Sequence, residues 1–203
     1  PTIKDSIKRT NLNYKKKTFD KKSKIVFLMF CRLIKQKGIR EYFKAAEIIK
    51  KKYNIKNVKL KLIGDIDLNN PSSLSKYEIN LWKKKNILRI YNHTDSIVRE
   101  IFNSDIVCLP SYGEGMPASL LEALYLGKGI VATNVNGCKE LVKINYNGYL
   151  VQAKNHVSLA KKFLNIINKP YLIKYFGKNS KLYFEKKFSR NPYEKIFKIL
   201  KSV

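Results

Sequence analysis

"DIVCLPSYGEGMPASLLEALYLGKGIVAT", Asp105 to Thr133, decides the architecture of this chain. Asp105 to Leu109 is a short β-rich apolar run, Pro117 to Leu126 has helical spacing, and Gly129 to Thr133 is β-rich again. Strand, turn, helix and strand in that order make one unit of a parallel sheet. The turn between the first strand and the helix is Gly113-Glu114-Gly115-Met116-Pro117-Ala118, which formally satisfies G-x-G-x-x-A. Such turns cradle phosphates, yet this one carries a carboxylate between its glycines.

Working outward, the same alternation repeats. Strands are predicted at Ile25 to Phe30, Val58 to Ile63, Ile87 to Tyr91 and Gly148 to Val151, besides the two above. Helices are predicted at Ile39 to Lys52, Ser75 to Lys84, Asp95 to Phe102 and Asn155 to Ile167. Because the strands are nearly continuously apolar, both faces of their sheet must be covered. The fold class is therefore α/β, a Rossmann-like parallel sheet sandwiched by helices, occupying residues 25–190. Beyond Pro170, "YLIKYFGKNSKLYFEKKF" is a basic and aromatic helix. A last helix over residues 191–203 aligns Tyr193, Ile196, Phe197 and Leu200 on one face, which must pack on this sheet or on another domain. Residues 1–24 are polar and basic and read as a lead-in.

Composition narrows the class of ligand. The chain has 203 residues with 44% hydrophobic content, enough for one sizeable core. Its longest apolar run, "IVFLMFC", is far short of the ~20 residues that span a bilayer. Three widely spaced cysteines, Cys31, Cys108 and Cys138, suggest neither a disulfide framework nor a zinc cluster. A cytoplasmic setting is expected. The sequence opens on Pro1, so a piece of a longer polypeptide is expected too. A net charge of +27 points to polyanionic partners: phosphorylated substrates, an anionic membrane face or nucleic acid. Lysine greatly outnumbers arginine, however, and nucleic-acid readers favour arginine for its bidentate fork. That balance argues against nucleic acid, although a non-catalytic polyanion-binding module stays open as a rival.

A nicotinamide dinucleotide fits the glycine turn poorly. The region where the ribose carboxylate should stand is Thr133-Asn134-Val135-Asn136, without an acid, and Glu114 would repel a pyrophosphate lying on the loop. A ligand with hydroxyls beside its phosphates fits better, because a carboxylate accepts from neighbouring sugar hydroxyls. Its diphosphate would sit at the free N–H groups of the helix amino end, with Pro117 at the first helical position. Glu122 lies inside an otherwise apolar helix, where a carboxylate needs a donor such as a ribose hydroxyl. Spacing alone leaves a plainer reading open: Glu114 in a solvated turn, and Glu122 capped by backbone or paired with a lysine.

"PSYGEGMPASLLEALYLGKGIVATNVNGCKELV", followed by "NGYLV", resembles the donor-binding half of the family 4 retaining glycosyltransferases, whose two-domain architecture is GT-B. Glu114 and Glu122 reproduce that family's Glu-x7-Glu spacing. Upstream, "CRLIKQKGI" is similar to its first βα turn, with Cys31 where Gly is usual. The similarity runs collinearly from Ile25 to about Leu200. "LIGDIDLNNPSSLSKYEINLW" is similar to bacterial members that extend lipid-linked saccharides for capsule, O-antigen or glycan assembly.

The resemblance implies roles. Glu114 would hold the donor sugar, Arg32 and Lys37 would clamp the diphosphate, and these three would be catalytic. Glu122 would hold the ribose, and Gly113, Gly115, Met116, Pro117, Ala118, Ser119 and Leu120 would surround the diphosphate. Tyr91 and His93 would lie near the base. The implied donor is a nucleotide sugar, above all a UDP-sugar, with no cofactor and no metal. Implied partners are a saccharide or polyprenyl-diphosphate-linked acceptor, the chain's own amino-terminal GT-B domain and an anionic membrane surface. Localisation would be peripheral, on the inner face of the cytoplasmic membrane. A sugar-nucleotide epimerase of related architecture is a further alternative.

Two other features have ordinary explanations. Asp65-Ile66-Asp67 imitates a D-x-D metal site, but its loop is rich in Asn, Pro and Ser, where aspartates serve turns and caps. His156 opens a helix and has no functional reading.

Overall fold

In a computed structural model, residues 24–188 are described. Residues 1–23 of the expected lead-in, the last two residues of the expected 25–190 domain and the terminal helix expected over residues 191–203 lie outside them. Six parallel strands form one sheet in the order β3-β2-β1-β4-β5-β6. They are β1 (Ile25–Phe30), β2 (Val58–Ile63), β3 (Arg89–Tyr91), β4 (Ile106–Leu109), β5 (Gly129–Thr133) and β6 (Gly148–Val151). Helices are α1 (Ile39–Glu47), α2 (Lys76–Lys85), α3 (Ile97–Phe102), α4 (Ala118–Tyr125), α5 (Asn136–Lys139), α6 (His156–Asn168) and α7 (Tyr171–Phe188).

Period-two alternation sends neighbouring strand residues to opposite sides. Phe27 and Met29 join one core, with Tyr42 and Phe43 of α1, Trp82 of α2 and Phe163 of α6. Leu28 joins the other, with Ile101 of α3, Leu120 and Leu124 of α4, and Cys138 of α5. Helix α7 serves both cores, Phe176 entering the first and Phe184 and Phe188 the second. Aromatic contacts tie the first core together: Phe163 lies 4.5 Å from Phe27 and 5.9 Å from Tyr42 between ring centroids.

Several expected boundaries shift for local reasons. The predicted helix over residues 39–52 is α-helical only to Glu47 and continues as a π-helical turn, Ile48–Lys52. Helix α3 starts at Ile97 because Thr94 Oγ1 accepts from the Ser96 amide and holds the chain in a turn before it. Asp105 falls outside β4; its carboxylate accepts from the buried Val26 amide at 2.8 Å and ties the strand's entry to β1. The 3-10 turn Lys35–Lys37 and the single turn of α5 are too short to leave a periodic signal.

Order reverses between β1 and β4, whose successors run to opposite edges of the sheet. Such a switch point opens a crevice at the carboxyl ends of the strands, where ligands of open parallel sheets bind.

Candidate functional site

The loops at those carboxyl ends are sewn together sideways. After β1, the carbonyl of Gln36 accepts from the Tyr112 amide at 2.8 Å and from Ser111 Oγ at 3.0 Å, both in the loop after β4. Toward the other edge, Leu33 donates to Asp65 and Lys35 to Ser72, each at 2.9 Å or less, joining the loop after β2. The His93 amide, after β3, donates to Asp65 Oδ1 at 3.0 Å. On the far side Thr133 Oγ1 donates to the Ser111 carbonyl. The rim is one hydrogen-bonded fabric from β3 to β5.

Two glycines let backbones approach across it. Gly38 closes the turn after β1 at φ +72°, and a Cβ there would stand 1.9 Å from the Pro110 carbonyl oxygen. At Gly137, in α5, a Cβ would meet the Gly115 carbonyl oxygen at 1.8 Å, while its amide donates to the Glu114 carbonyl at 3.1 Å. Helix α5 therefore braces the glycine turn from behind. Gly137 was absent from the residues expected at the site, because a glycine whose role is a distant backbone contact leaves no local pattern.

Lys37 and Glu114 meet over the switch point. Lys37 Nζ donates to both carboxylate oxygens of Glu114, at 2.7 and 3.0 Å. The Glu114 side chain is only 9% exposed, so the solvated-turn reading is excluded. This pair joins a residue expected on the diphosphate to one expected on the sugar. Cys31 and Cys138 lie close enough to feel both charges. Burial above all, with the Glu114 carboxylate adding and the Lys37 ammonium offsetting part of the rise, pushes each thiol up to about 12. Neither is a ready nucleophile at neutral pH.

Glu122 is the second acid of the turn-and-helix unit. Desolvation in the apolar body of α4 raises its carboxyl from 4.5 to about 7. Among the described residues no lysine pairs with it and no backbone amide caps it. Pro117 is corrected by one position. Its ψ of 114° is extended, and its carbonyl accepts from the Leu120 and Leu121 amides, so it is the cap and Ala118 is the first helical residue. The Ala118 and Ser119 amides have no backbone acceptor among the described residues, as expected at a helix start. Gly113, Gly115 and Met116 are exposed at the mouth of the turn, Ser119 is half-buried and Leu120 is core.

The remaining expected residues lie along the rim. Arg32 bonds Asp67 Oδ2 at 3.2 Å with its side chain 66% exposed. Asp67 thus anchors a loop, and its carbonyl accepts from Ser73 Oγ and the Asn70 amide. Tyr91 and His93 are exposed at the end of β3, roughly 14 Å from β4 at about 4.8 Å per strand. Only an extended ligand can touch both places. No group of three or more His, Cys, Asp or Glu able to hold a metal occurs among the described residues.

Comparison with known proteins identifies the family. Residues 11–183 match the sequence profile described as "Glycosyl transferases group 1". The chain is 30% identical over 199 residues, 96% of its own length and 50% of the relative's, to a Campylobacter jejuni N,N'-diacetylbacillosaminyl-diphospho-undecaprenol alpha-1,3-N-acetylgalactosaminyltransferase. It is 31% identical over 158 residues, 73% of itself and 40% of the relative, to an Escherichia coli UDP-Gal:alpha-D-GlcNAc-diphosphoundecaprenol alpha-1,3-galactosyltransferase. It thus spans about half or less of the curated relatives it matches. The C-terminal domain of a group 1 family glycosyl transferase from Francisella tularensis superposes with a TM-score of 0.69 at 25% identity, covering 82% of this chain and 87% of that one. HepE of Anabaena, solved with UDP, shares the fold with a TM-score of 0.73 at 22% identity over 89% of this chain and 50% of that one. A six-stranded switch-point sheet and a profile match over residues 11–183 agree: the chain belongs to the group 1 glycosyl transferases and forms one Rossmann-like half of the GT-B fold.

Proposed function

We propose that this chain is the donor-binding half of a retaining glycosyltransferase, holding a nucleotide sugar, above all a UDP-sugar, across the β1/β4 crevice. The observation that carries the reading is the Lys37–Glu114 pair closed over the switch point. Its two partners are what a sugar diphosphate needs separately: a cation for the phosphates and an acceptor for the hydroxyls. On binding, Glu114 exchanges the ammonium for sugar hydroxyls, and Lys37, joined by Arg32, turns to the diphosphate. The charge that gathers on the departing nucleoside diphosphate is then met by these two cations, and no metal is required. Glu122 takes the ribose hydroxyls, the Ala118 and Ser119 amides face a phosphate oxygen, and Tyr91 with His93 flanks the base.

Relatives named for diphospho-undecaprenol acceptors support a polyprenyl-diphosphate-linked saccharide as acceptor and a peripheral position on the inner face of the cytoplasmic membrane. A second GT-B domain supplies the acceptor side. No helix among the described residues is long and apolar enough to cross a membrane.

Calorimetric titration with UDP, UDP-N-acetylhexosamines, ADP-glucose and GDP-mannose, with and without magnesium, tests the reading. Saturable, magnesium-independent UDP binding is expected, and Glu114→Ala should weaken UDP-sugar binding by roughly 1–3 kcal/mol. Unchanged affinity in that variant would sink the sugar-holding role. Binding of oligonucleotides with indifference to UDP would favour the polyanion module, and release of isomerised UDP-sugar would favour an epimerase.

A further inference from the structure

Helix α2 spends its inner face entirely on the core. Ile79 and Trp82 are buried, and Trp82 stacks on Phe43 with ring centroids 4.4 Å apart. Glu78 is held by Arg40 through two bonds of 2.8 and 2.9 Å. The outer face is built differently. Tyr77 and Leu81 are 74% and 40% exposed and, with Asn80, Lys83 and Lys84, line a shallow groove of about 370 Å³. Positions 77, 81 and 84 fall on one stripe by helical spacing.

Lysines 83 to 85 in the last turn complement the helix dipole. That accounts for the charges but not for a large exposed tyrosine and leucine beside them. Apolar side chains ringed by lysine, with the single acid of the helix already neutralised by Arg40, make an interfacial face. The apolar groups can enter a headgroup layer while lysine stems lie along it with their ammonium groups in water. The net charge of +27 favours an anionic layer.

We propose that the outer face of α2 docks on an anionic lipid bilayer, Tyr77 and Leu81 entering the headgroup layer and Lys76, Lys83 and Lys84 meeting anionic headgroups. The proposal rests on the reading above in one respect, that the acceptor is lipid-linked. Helix α2 is the crossover between β2 and β3 and starts from its cap, Ser75, next to the rim loop after β2. Docking on its outer face would bring the rim loop that leads into Ser75 toward the bilayer, where a lipid holds the acceptor's diphosphate.

Sedimentation of the 203-residue chain with phosphatidylglycerol–phosphatidylcholine vesicles tests this, against phosphatidylcholine alone. The parent should pellet with the anionic vesicles. Two double variants, Tyr77→Ser with Leu81→Ser and Lys83→Gln with Lys84→Gln, should each partition about tenfold or more weakly while binding UDP as the parent does. No binding of the parent to anionic vesicles, equal binding to neutral ones, or undiminished binding of both variants overturns the proposal. Self-association in the ultracentrifuge that Tyr77→Ser with Leu81→Ser abolishes would give the face to a second copy and also overturn it. Absence of UDP binding in the parent refutes the donor reading of the rim instead, so the two failures are told apart.

Discussion

Glu122 shows how much one carboxyl can report. Its folded-state value of about 7 lies above the ordinary 4.5, so between those two values the folded chain holds a proton that the unfolded chain has released. The contribution of this carboxyl to stability is therefore fully present below pH 4.5 and is lost as pH rises through this window, by about 3 kcal/mol across it at 1.36 kcal/mol per pKa unit. Glu122→Gln should flatten that part of the profile and raise the melting temperature above pH 7, read by thermal denaturation from pH 5 to 8. A profile unchanged by the substitution would mean the carboxyl is solvated. Ribose hydroxyls prefer the charged form as acceptor, so UDP binding near pH 7 should release a proton, visible as a binding heat that depends on the buffer's ionisation enthalpy. The Lys37–Glu114 pair has a related effect on ligand choice. A free hexose would replace only the ammonium and inorganic diphosphate only the carboxylate, each leaving one partner stripped, so neither fragment alone should approach the affinity of the joined molecule.

Elements succeed here because they are held by neighbours, and α5 is the clearest instance. It is one turn long and braces the glycine turn through Gly137. Gly137→Ala should push a methyl into the Gly115 carbonyl, lowering UDP-sugar affinity at least as much as loss of Glu114 while leaving far-ultraviolet circular dichroism intact. Retained affinity would show that the turn can retreat. Sequence foresaw most strands well: β1, β2, β5 and β6 match the expected runs residue for residue, because short β-rich runs, unbroken in β1 and β5 and alternating with lysine in β2, have few other readings. It also placed Glu114 and Glu122, whose spacing is local. What it could not supply was partnership. That Lys37 faces Glu114, 77 residues away, depends on β1 lying beside β4, and no periodicity records which strands adjoin.

At the scale of the molecule, charge and scaffold act together. With a net charge of +27, the chain should draw anionic nucleotides by long-range steering, so the UDP association rate should fall about tenfold or more between low and high salt, by stopped-flow, with dissociation changing less. A salt-independent rate would mean the lysines are merely solvated surface. The rim that receives the nucleotide is already fastened before it arrives, since the amides of Leu33, Lys35, Leu74, Tyr112 and His93 all have acceptors within the protein. Little backbone freedom is then left for a ligand to freeze, and the entropy penalty of ordering loops is largely met during folding. Those five amides should exchange slowly with deuterium in the empty chain, and nucleotide should change their protection little, with any gain concentrated at the Ala118 and Ser119 amides that begin α4. Such a scaffold offers a standing backbone template, and what rearranges on binding is confined to side chains, the Lys37–Glu114 exchange above all.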